Sequence, residues 1–335
     1  MRRALGALFG GIARLRAAAY RRGLRRRDRP RGPVVSVGNL SVGGSGKTPV
    51  VQRVAEMLRD EGHPVAVLSR GYGGSFHGDA LVVSDGNEVL AGAAEAGDEP
   101  VMLARSLPGV VVAVGPRRDR VGRAVEARFG RRVHVLDDGF QHLRLERDLD
   151  IVCLDVRDLE DRPLPAGRLR EGPEALDRAH LILLTRLEAA TGDELAALEK
   201  RLGAERTHRV SRRVLGWRDL DGGEVPTPDR VFLFAGIARP ERFERDAAAS
   251  GATVVGRTFF ADHHRYRAKE IERLAEKART AGADALATTA KDAVRLGDLG
   301  SGAAGLPILV LHGTVAFADE ERFSRQLFEA VGRAA

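Results

Sequence analysis

A chain of 335 residues with 43% hydrophobic and 30% charged side chains has the composition of a folded protein, with room for one large domain or two moderate ones. Its single cysteine, Cys153, excludes an internal disulfide and a cysteine-based zinc cluster, and fits a reducing compartment. The net charge of +7 is uneven: residues 1–31 hold eleven arginines and one acid, Asp28, a local charge of +10 that leaves −3 for the rest, which is not the pattern of a uniformly basic nucleic-acid binder.

In the first segment, Leu5, Leu8, Phe9, Ile12, Leu15 and Ala19 fall at helical spacing on one face. Arginines fill much of the remainder. Such a helix suits an anionic membrane surface, with apolar residues in the acyl boundary and arginines at the headgroups. A terminal helix packed on its own domain fits the pattern equally well, and a cleaved targeting segment fits it less well because arginines break the apolar part. No run approaches the roughly 18 apolar residues of a spanning helix.

Beyond this arm, β-branched runs at 33–38, 64–69, 110–115, 132–138, 150–155 and 180–185 alternate with helical patterns such as 49–60 and 193–202. Strands apolar on both faces that alternate with helices predict a covered parallel sheet. Residues 206–228 interrupt the rhythm with a Gly-Gly turn and two prolines, read as a hairpin or connecting ribbon. Further runs follow at 230–236, 253–260, 283–289 and 307–313. The expected fold is α/β: a basic amphipathic helix at 1–30, a P-loop-containing parallel-sheet domain at 31–205, a hinge at 206–228 and a smaller α/β domain at 229–335. A cleft between two such lobes is a common ligand site.

The stretch "SVGNLSVGGSGKTPVV" reads as strand, glycine loop and helix, the arrangement that aims backbone N–H groups at a phosphate. Ser41 stands where the usual pattern has its first glycine. Gly43, Gly44, Ser45 and Gly46 complete the loop, Lys47 would bridge the β- and γ-phosphates, and the Thr48 hydroxyl would hold Mg²⁺. Pro49 is tolerated in the first helical turn. Asp137 and Asp138 end the run "VHVLDD". Alone they would read as a turn before Gly139; with a phosphate loop upstream they read as carboxylates for the metal.

The stretches "GNLSVGGSGKTP", "SRGYGG", "GDEP", "LDDGFQH", "RDLDIV", "LPAGRLRE", "ADHH" and "TTAKD", in this order and spacing, resemble the tetraacyldisaccharide 4'-kinases, the lipid A 4'-kinases of Gram-negative bacteria. The resemblance spans about residues 5–320. "GGSGKTP" with "DDGFQH" is its most specific part; "GDEP" or "TTAKD" alone is weak. It implies transfer of the ATP γ-phosphoryl group to the 4'-hydroxyl of a tetraacyldisaccharide 1-phosphate, with ATP and Mg²⁺, at the cytoplasmic face of the inner membrane. That implication moves the arginine-rich arm toward the membrane reading.

The resemblance also implies roles. Asp98 is the base, paired with His263. Asp137, Asp138 and Asp262 lie near the metal or its waters, with Glu99 a weaker candidate. Arg170 meets an anionic substrate group, and Tyr72, Gln141 and His142 serve the substrate side, the latter two also supporting the aspartate turn. Plain alternatives stand beside these: Asp98 as a helix N-cap, His263 as a surface histidine, Arg170 as a solvated loop arginine, Tyr72 in a simple turn, and Lys291 in a structural salt bridge. Two rival functions fit the sequence less well. A P-loop GTPase or switch needs an N-K-x-D element, and the nearest match is Thr185-Arg186-x-Glu188. A membrane-binding module with a degenerate nucleotide site is opposed by the intact Lys47-Thr48 and the paired aspartates.

Overall fold

The computed structural model describes residues 2–43, 46–297, 299 and 305–334. The chain divides into two compact units, Met1–Ser211 with Val315–Ala335, and Arg212–Thr314.

The first unit opens with α1 (Arg2–Arg21), followed by β1 (Val34–Asn39), α2 (Lys47–Asp60), β2 (Val65–Ser69), β3 (Leu81–Ser84), α3 (Ala93–Ala96) and α4 (Asp98–Ser106). Next come β4 (Val111–Val114), α5 (Arg118–Phe129), β5 (Val133–Asp137), β6 (Leu149–Asp155), β7 (Leu181–Thr185), α6 (Gly192–Leu202) and β8 (Thr207–Arg218). The strand order is β8-β7-β6-β1-β5-β2-β4-β3. Every pairing here is parallel except β3 with β4. Strands β1, β2, β4, β5, β6 and β7 are buried along their whole length, because helices cover both faces of a parallel sheet. The chain places β5, β2 and β4 on one side of β1, and β6 and β7 on the other. Connections therefore diverge at the C-terminal end of β1, where open α/β sheets bind their ligands.

Two apolar clusters hold the sheet. Leu68, Val111, Val121, Val125 and Leu136 belong to one, and Leu40, Phe140, Val152, Leu169, Ile182 and Leu195 to the other.

The second unit holds the hairpin from β8 to β9 (Glu224–Val225), then β10 (Arg230–Ala235), α7 (Pro240–Ala249), β11 (Thr253–Phe259), α8 (Ala268–Thr280), β12 (Ala285–Thr289), α9 (Ala290–Leu296) and β13 (Ile308–Phe317). Its parallel order is β11-β10-β12-β13. Phe234, Tyr266, Ile271 and Leu274 pack in one cluster, and Trp217, Leu233, Phe243 and Ala247 in another.

Two details differ from the sequence expectation. The segment read as a hairpin or connecting ribbon does form the antiparallel β8–β9 hairpin, but β8 is twelve residues long and also extends the sheet by pairing in parallel with β7. The final helix, α10 (Glu320–Ala334), clusters with the first unit. Phe323, Leu327 and Val331 on α10 are buried, Phe323 meets His208 edge-on with centroids 5.4 Å apart, and Arg322 donates to the Thr207 carbonyl at 2.8 Å.

Candidate active site

β1 ends at Asn39, and α2 begins at Lys47. Gly46 caps α2 at φ 79°, with no side-chain cap on the helix. The first helical amides, apart from Pro49, which has no N–H, thus start α2 without a side-chain cap from Gly46 and face the loop. Gly43 sits at φ 104°, a conformation that side chains rarely adopt. Gly44 and Ser45 lie outside the described residues.

Lys47 Nζ donates to Asn39 Oδ1 at 2.9 Å and lies 3.3 Å from Asp138 Oδ1. Asp138 Oδ2 accepts from Arg170 at 2.7 Å, and Arg170 is 3.4 Å from Gln141 Oε1. Gln141 in turn donates to the Asn39 carbonyl at 2.9 Å. Lys47, Asp138, Arg170 and Gln141 thus form one constellation. Burial pushes the Asp138 carboxyl up, but Lys47 and Arg170 outweigh it and hold the group below its ordinary value. Asp138 also adopts φ 54°, sparsely populated by non-glycine residues. Gly139 N donating to the Val37 carbonyl at 3.0 Å fixes the following turn.

Asp137, at the end of β5, is pushed up to about 6, first by burial and then by the charges of Glu99 and Asp138; the Ser69 hydroxyl, donating at 3.0 Å, opposes this. Glu99 is thus within electrostatic reach of Asp137. It follows Asp98 on α4, and Asp98 is the first helical residue, with Gly97 at φ 92° as the cap. The helix-cap alternative for Asp98 thus falls to Gly97 instead. An acidic side chain at this N-terminal position complements the helix dipole. A Cβ on Gly97 would lie 2.5 Å from the Tyr72 carbonyl, so the "SRGYGG" turn is packed against the start of α4. Tyr72 itself is 79% exposed.

Ser41 does not turn its hydroxyl toward the open side of the loop. It donates to Asp158 at 2.8 Å, and both residues are buried. His142 Nε2 lies 3.8 Å from Asp119, and burial with the nearby Arg118 pulls its ring down to about 4. The His142 amide donates to the Gly139 carbonyl at 2.8 Å, which ties His142 to the turn after the aspartate pair. The nearest guanine-reading candidate, Arg186, is buried, with Nη1 2.8 Å from Asp155, a structural ion pair.

In the second unit, His263 follows β11 in a left-handed conformation, φ 63°, with its amide donating to the Gly236 carbonyl at 3.1 Å. Its Nδ1 lies 3.3 Å from Arg295 and its Nε2 3.4 Å from Lys291. Asp262 Oδ1 lies 3.7 Å from Lys291, so Lys291 joins Asp262 and His263 in one charged cluster.

Asp137 and Asp138 offer hard oxygen donors suited to Mg²⁺, which is commonly held by one or two carboxylates plus phosphate oxygens and water. Asp138 Oδ1 is buried and makes no aligned hydrogen bond, so a ligating atom is available there. Among the described residues no three His, Cys, Asp or Glu side chains form a complete metal cage. Phosphate oxygens and water commonly complete the coordination of Mg²⁺ held by a carboxylate pair of this kind.

The chain matches the family described as Tetraacyldisaccharide-1-P 4'-kinase over residues 2–332. It belongs to that family. Similar proteins include the tetraacyldisaccharide 4'-kinase of Geobacter metallireducens, 46% identical over 291 residues covering 85% of this chain and 84% of the relative. That of Desulfotalea psychrophila is 41% identical over 300 residues, covering 87% and 86%. A crystal structure of LpxK from Aquifex aeolicus in complex with ATP has a TM-score of 0.81 and 31% identity, and the match covers 98% of each chain. The mixed α/β fold expected from sequence is the fold of this 4'-kinase family member.

Within the kinase fold, residues other than the candidates named from the sequence also hold the site. Arg118 is buried with Nη2 3.4 Å from the Asp138 carbonyl. Asp292 is fully buried and accepts from Gly236 N at 3.0 Å, the Tyr266 hydroxyl at 2.9 Å and Arg295 at 3.0 Å, so it braces the segment behind His263. The final aspartate of "TTAKD" was the only sequence trace of that role.

The arm is also resolved in detail. α1 packs through Gly6 and Gly10 against Pro163 and Ala166; a Cβ on Gly6 would lie 2.9 Å from Ala166 Cβ, and one on Gly10 3.2 Å from Pro163 Cγ. Leu5, Leu8, Phe9, Ile12 and Leu15 remain exposed. The packed-helix alternative assigned this apolar face to the interior, and the glycine face takes that place. No helix among the described residues is long and apolar enough to cross a membrane.

Proposed function

We propose that the protein is an ATP-dependent kinase that transfers the γ-phosphoryl group to the 4'-hydroxyl of tetraacyldisaccharide 1-phosphate. The observation that carries the reading is the meeting of Lys47, from a strand–loop–helix, with Asp138 at 3.3 Å, in a chain of the 4'-kinase family.

In this reading the loop amides around Gly43 to Gly46 and Lys47 grip the phosphates. Thr48, Asp137 and Asp138 would hold Mg²⁺, with Glu99 and Asp262 as further acidic groups, and the ion would neutralise charge on the β- and γ-phosphates. A sugar hydroxyl is a weak nucleophile at neutral pH, so a positioned base assists it. Asp98 takes the 4'-hydroxyl proton as the oxygen bonds to the γ-phosphorus. The bond from that phosphorus to the bridging oxygen breaks, and ADP leaves with the electron pair. His263 is assigned to support Asp98. Arg170, Tyr72, Gln141 and His142 are assigned to the acceptor side; Arg170 suits phosphate because its fork binds bidentately.

A lipid acceptor requires the enzyme to meet a bilayer. The exposed apolar row of α1 and its arginines support peripheral attachment to an anionic membrane, which we assign to the cytoplasmic face of the inner membrane. No nucleic-acid partner is assigned.

The test is an assay of purified protein with Mg²⁺, ATP and tetraacyldisaccharide 1-phosphate in mixed micelles. The expected result is a bis-phosphorylated lipid formed in step with ADP. GTP hydrolysis without lipid product would overturn the reading in favour of a nucleotide switch.

A further inference from the structure

We propose that Asp158 is a positioning residue for the nucleotide loop, acting through Ser41, and that this pair stands in for the glycine missing from the start of the phosphate loop. The inference rests on the nucleotide-binding reading above.

The usual loop glycine gives freedom for a tight turn and close backbone approach. Ser41 has no need of that freedom. It is not among the described non-glycine residues with positive φ, and it forms an antiparallel bridge with Leu169. Its backbone is held on both sides, by Arg170 N donating to the Leu40 carbonyl at 2.7 Å and Val42 N donating to the Arg168 carbonyl at 2.8 Å.

The side chain supplies a further restraint. Asp158 lies in the short helical turn after β6, and β6 pairs with β1 up to Asn39 opposite Cys153. Sheet adjacency therefore brings a residue 117 positions away to the entrance of the loop. Asp158 is fully buried and Ser41 is 4% exposed. A buried hydroxyl–carboxylate bond is directional and is expensive to break. Arg168 lies 3.4 Å from the other Asp158 oxygen, so both carboxylate oxygens have a partner.

The restraint continues toward the reacting phosphates. Asn39 Nδ2 donates to the Ser41 carbonyl at 2.6 Å, while Asn39 Oδ1 accepts from Lys47. A chain of hydrogen bonds thus runs from Asp158 through Ser41 and Asn39 to the Lys47 ammonium. It fixes the first half of the loop relative to the lysine, leaving Gly43 and Gly46 to make the turns that require positive φ.

The experiment measures binding of the ATP analogue AMP-PNP with Mg²⁺ by titration calorimetry, and steady-state KM for ATP and for the lipid. Ser41→Ala and Asp158→Ala are each expected to weaken nucleotide binding roughly tenfold, the equivalent of about 1.4 kcal/mol. The double variant should lose no more than either single variant, since both cut the same bond. Ser41→Thr, which keeps the hydroxyl, and Asp158→Asn, which keeps an acceptor, should recover most of the affinity. The lipid KM should not move. If Asp158→Ala does not fold, the Ser41→Ala and Ser41→Thr pair decides alone. Unchanged nucleotide affinity in Ser41→Ala, or additive losses in the double variant, overturns the proposal while leaving the kinase reading in place. A wild-type chain that binds no nucleotide overturns both.

Discussion

Lys47 and Asp138 face each other at 3.3 Å, joining the helix after the phosphate loop to the turn after a neighbouring strand. Lys47 also donates to Asn39, and Asp138 accepts from Arg170. The lysine is thus held beside the carboxylate from which the metal would be bound, and Arg170 balances the charge on its other side. Removing Lys47 would lose the proposed phosphate contact and leave Asp138 paired with Arg170 at 2.7 Å. Lys47→Ala should lower kcat/KM for ATP by at least about a hundredfold, as expected for loss of a preorganised charge at a phosphoryl-transfer site. The phosphorylation assay checks this, with circular dichroism as the control for folding.

Asp98 opens α4 beside the packed "SRGYGG" turn, while His263 is held in a left-handed conformation against Gly236. Neither arrangement contributes to a hydrophobic core. Asp98→Ala and His263→Ala should therefore each reduce kcat by roughly a hundredfold or more while shifting Tm little. A double variant no slower than the slower single one would mark a pair acting as a unit. Near-normal rates in either single variant would remove that residue from the catalytic assignment.

Asp137 gives a pH prediction. Its carboxyl is raised to about 6 by burial and by Glu99 and Asp138. Its folded-state pKa lies above the ordinary value, so the folded protein binds more protons than the unfolded chain between about pH 4 and 6. The stabilising contribution of the neutral form is complete below about pH 4 and is lost as pH rises through 6. Asp137→Asn removes the buried charge and keeps an oxygen acceptor for Ser69. It should raise stability by about 1 to 3 kcal/mol at pH 8, with little gain near pH 4, while abolishing turnover. Thermal melts across that range, without nucleotide or metal, check the sign. The apparent affinity for Mg²⁺ should weaken as pH drops below 6, because the ion would then have to displace the Asp137 proton.

Much of this fold was legible because its strongest signals are local. The run "VVSVGN", the glycines and the apolar spacing of α2 can each be read within a few residues. Strand β3 has a weak sequence signal because it is a four-residue antiparallel edge strand with only partial burial. β8 resembled a ribbon because its arginines leave much of it exposed or half-buried. Within the site, Lys47, Asp137 and Asp138 follow from the motif, but Asp158 does not. Its link to Ser41 depends on β6 lying next to β1, a neighbour relation that no local pattern carries. Asp292 was hidden for a similar reason: its partners Gly236 and Tyr266 come from other parts of the chain.

The last prediction concerns α1. Its glycine face is seated on Pro163 and Ala166, whereas Leu8 and Leu15 are 61% and 73% exposed. Exposure of such residues in a continuous row is the surface expected of a helix lying in a bilayer interface. Burying one leucine contributes about 1.5 to 3 kcal/mol when complete, and each arginine near an anionic surface about 1 kcal/mol. Leu8→Ser with Leu15→Ser should weaken flotation with phosphatidylglycerol vesicles by tenfold or more, and deletion of residues 1–27 should weaken it further. The arginine share should show separately as weaker binding to phosphatidylcholine vesicles and in high salt, because screening shortens the reach of surface charge. The core is not involved, so turnover on a short-chain, micelle-soluble acceptor should survive the leucine substitutions. Unchanged vesicle binding in both variants would show that α1 is not the attachment site.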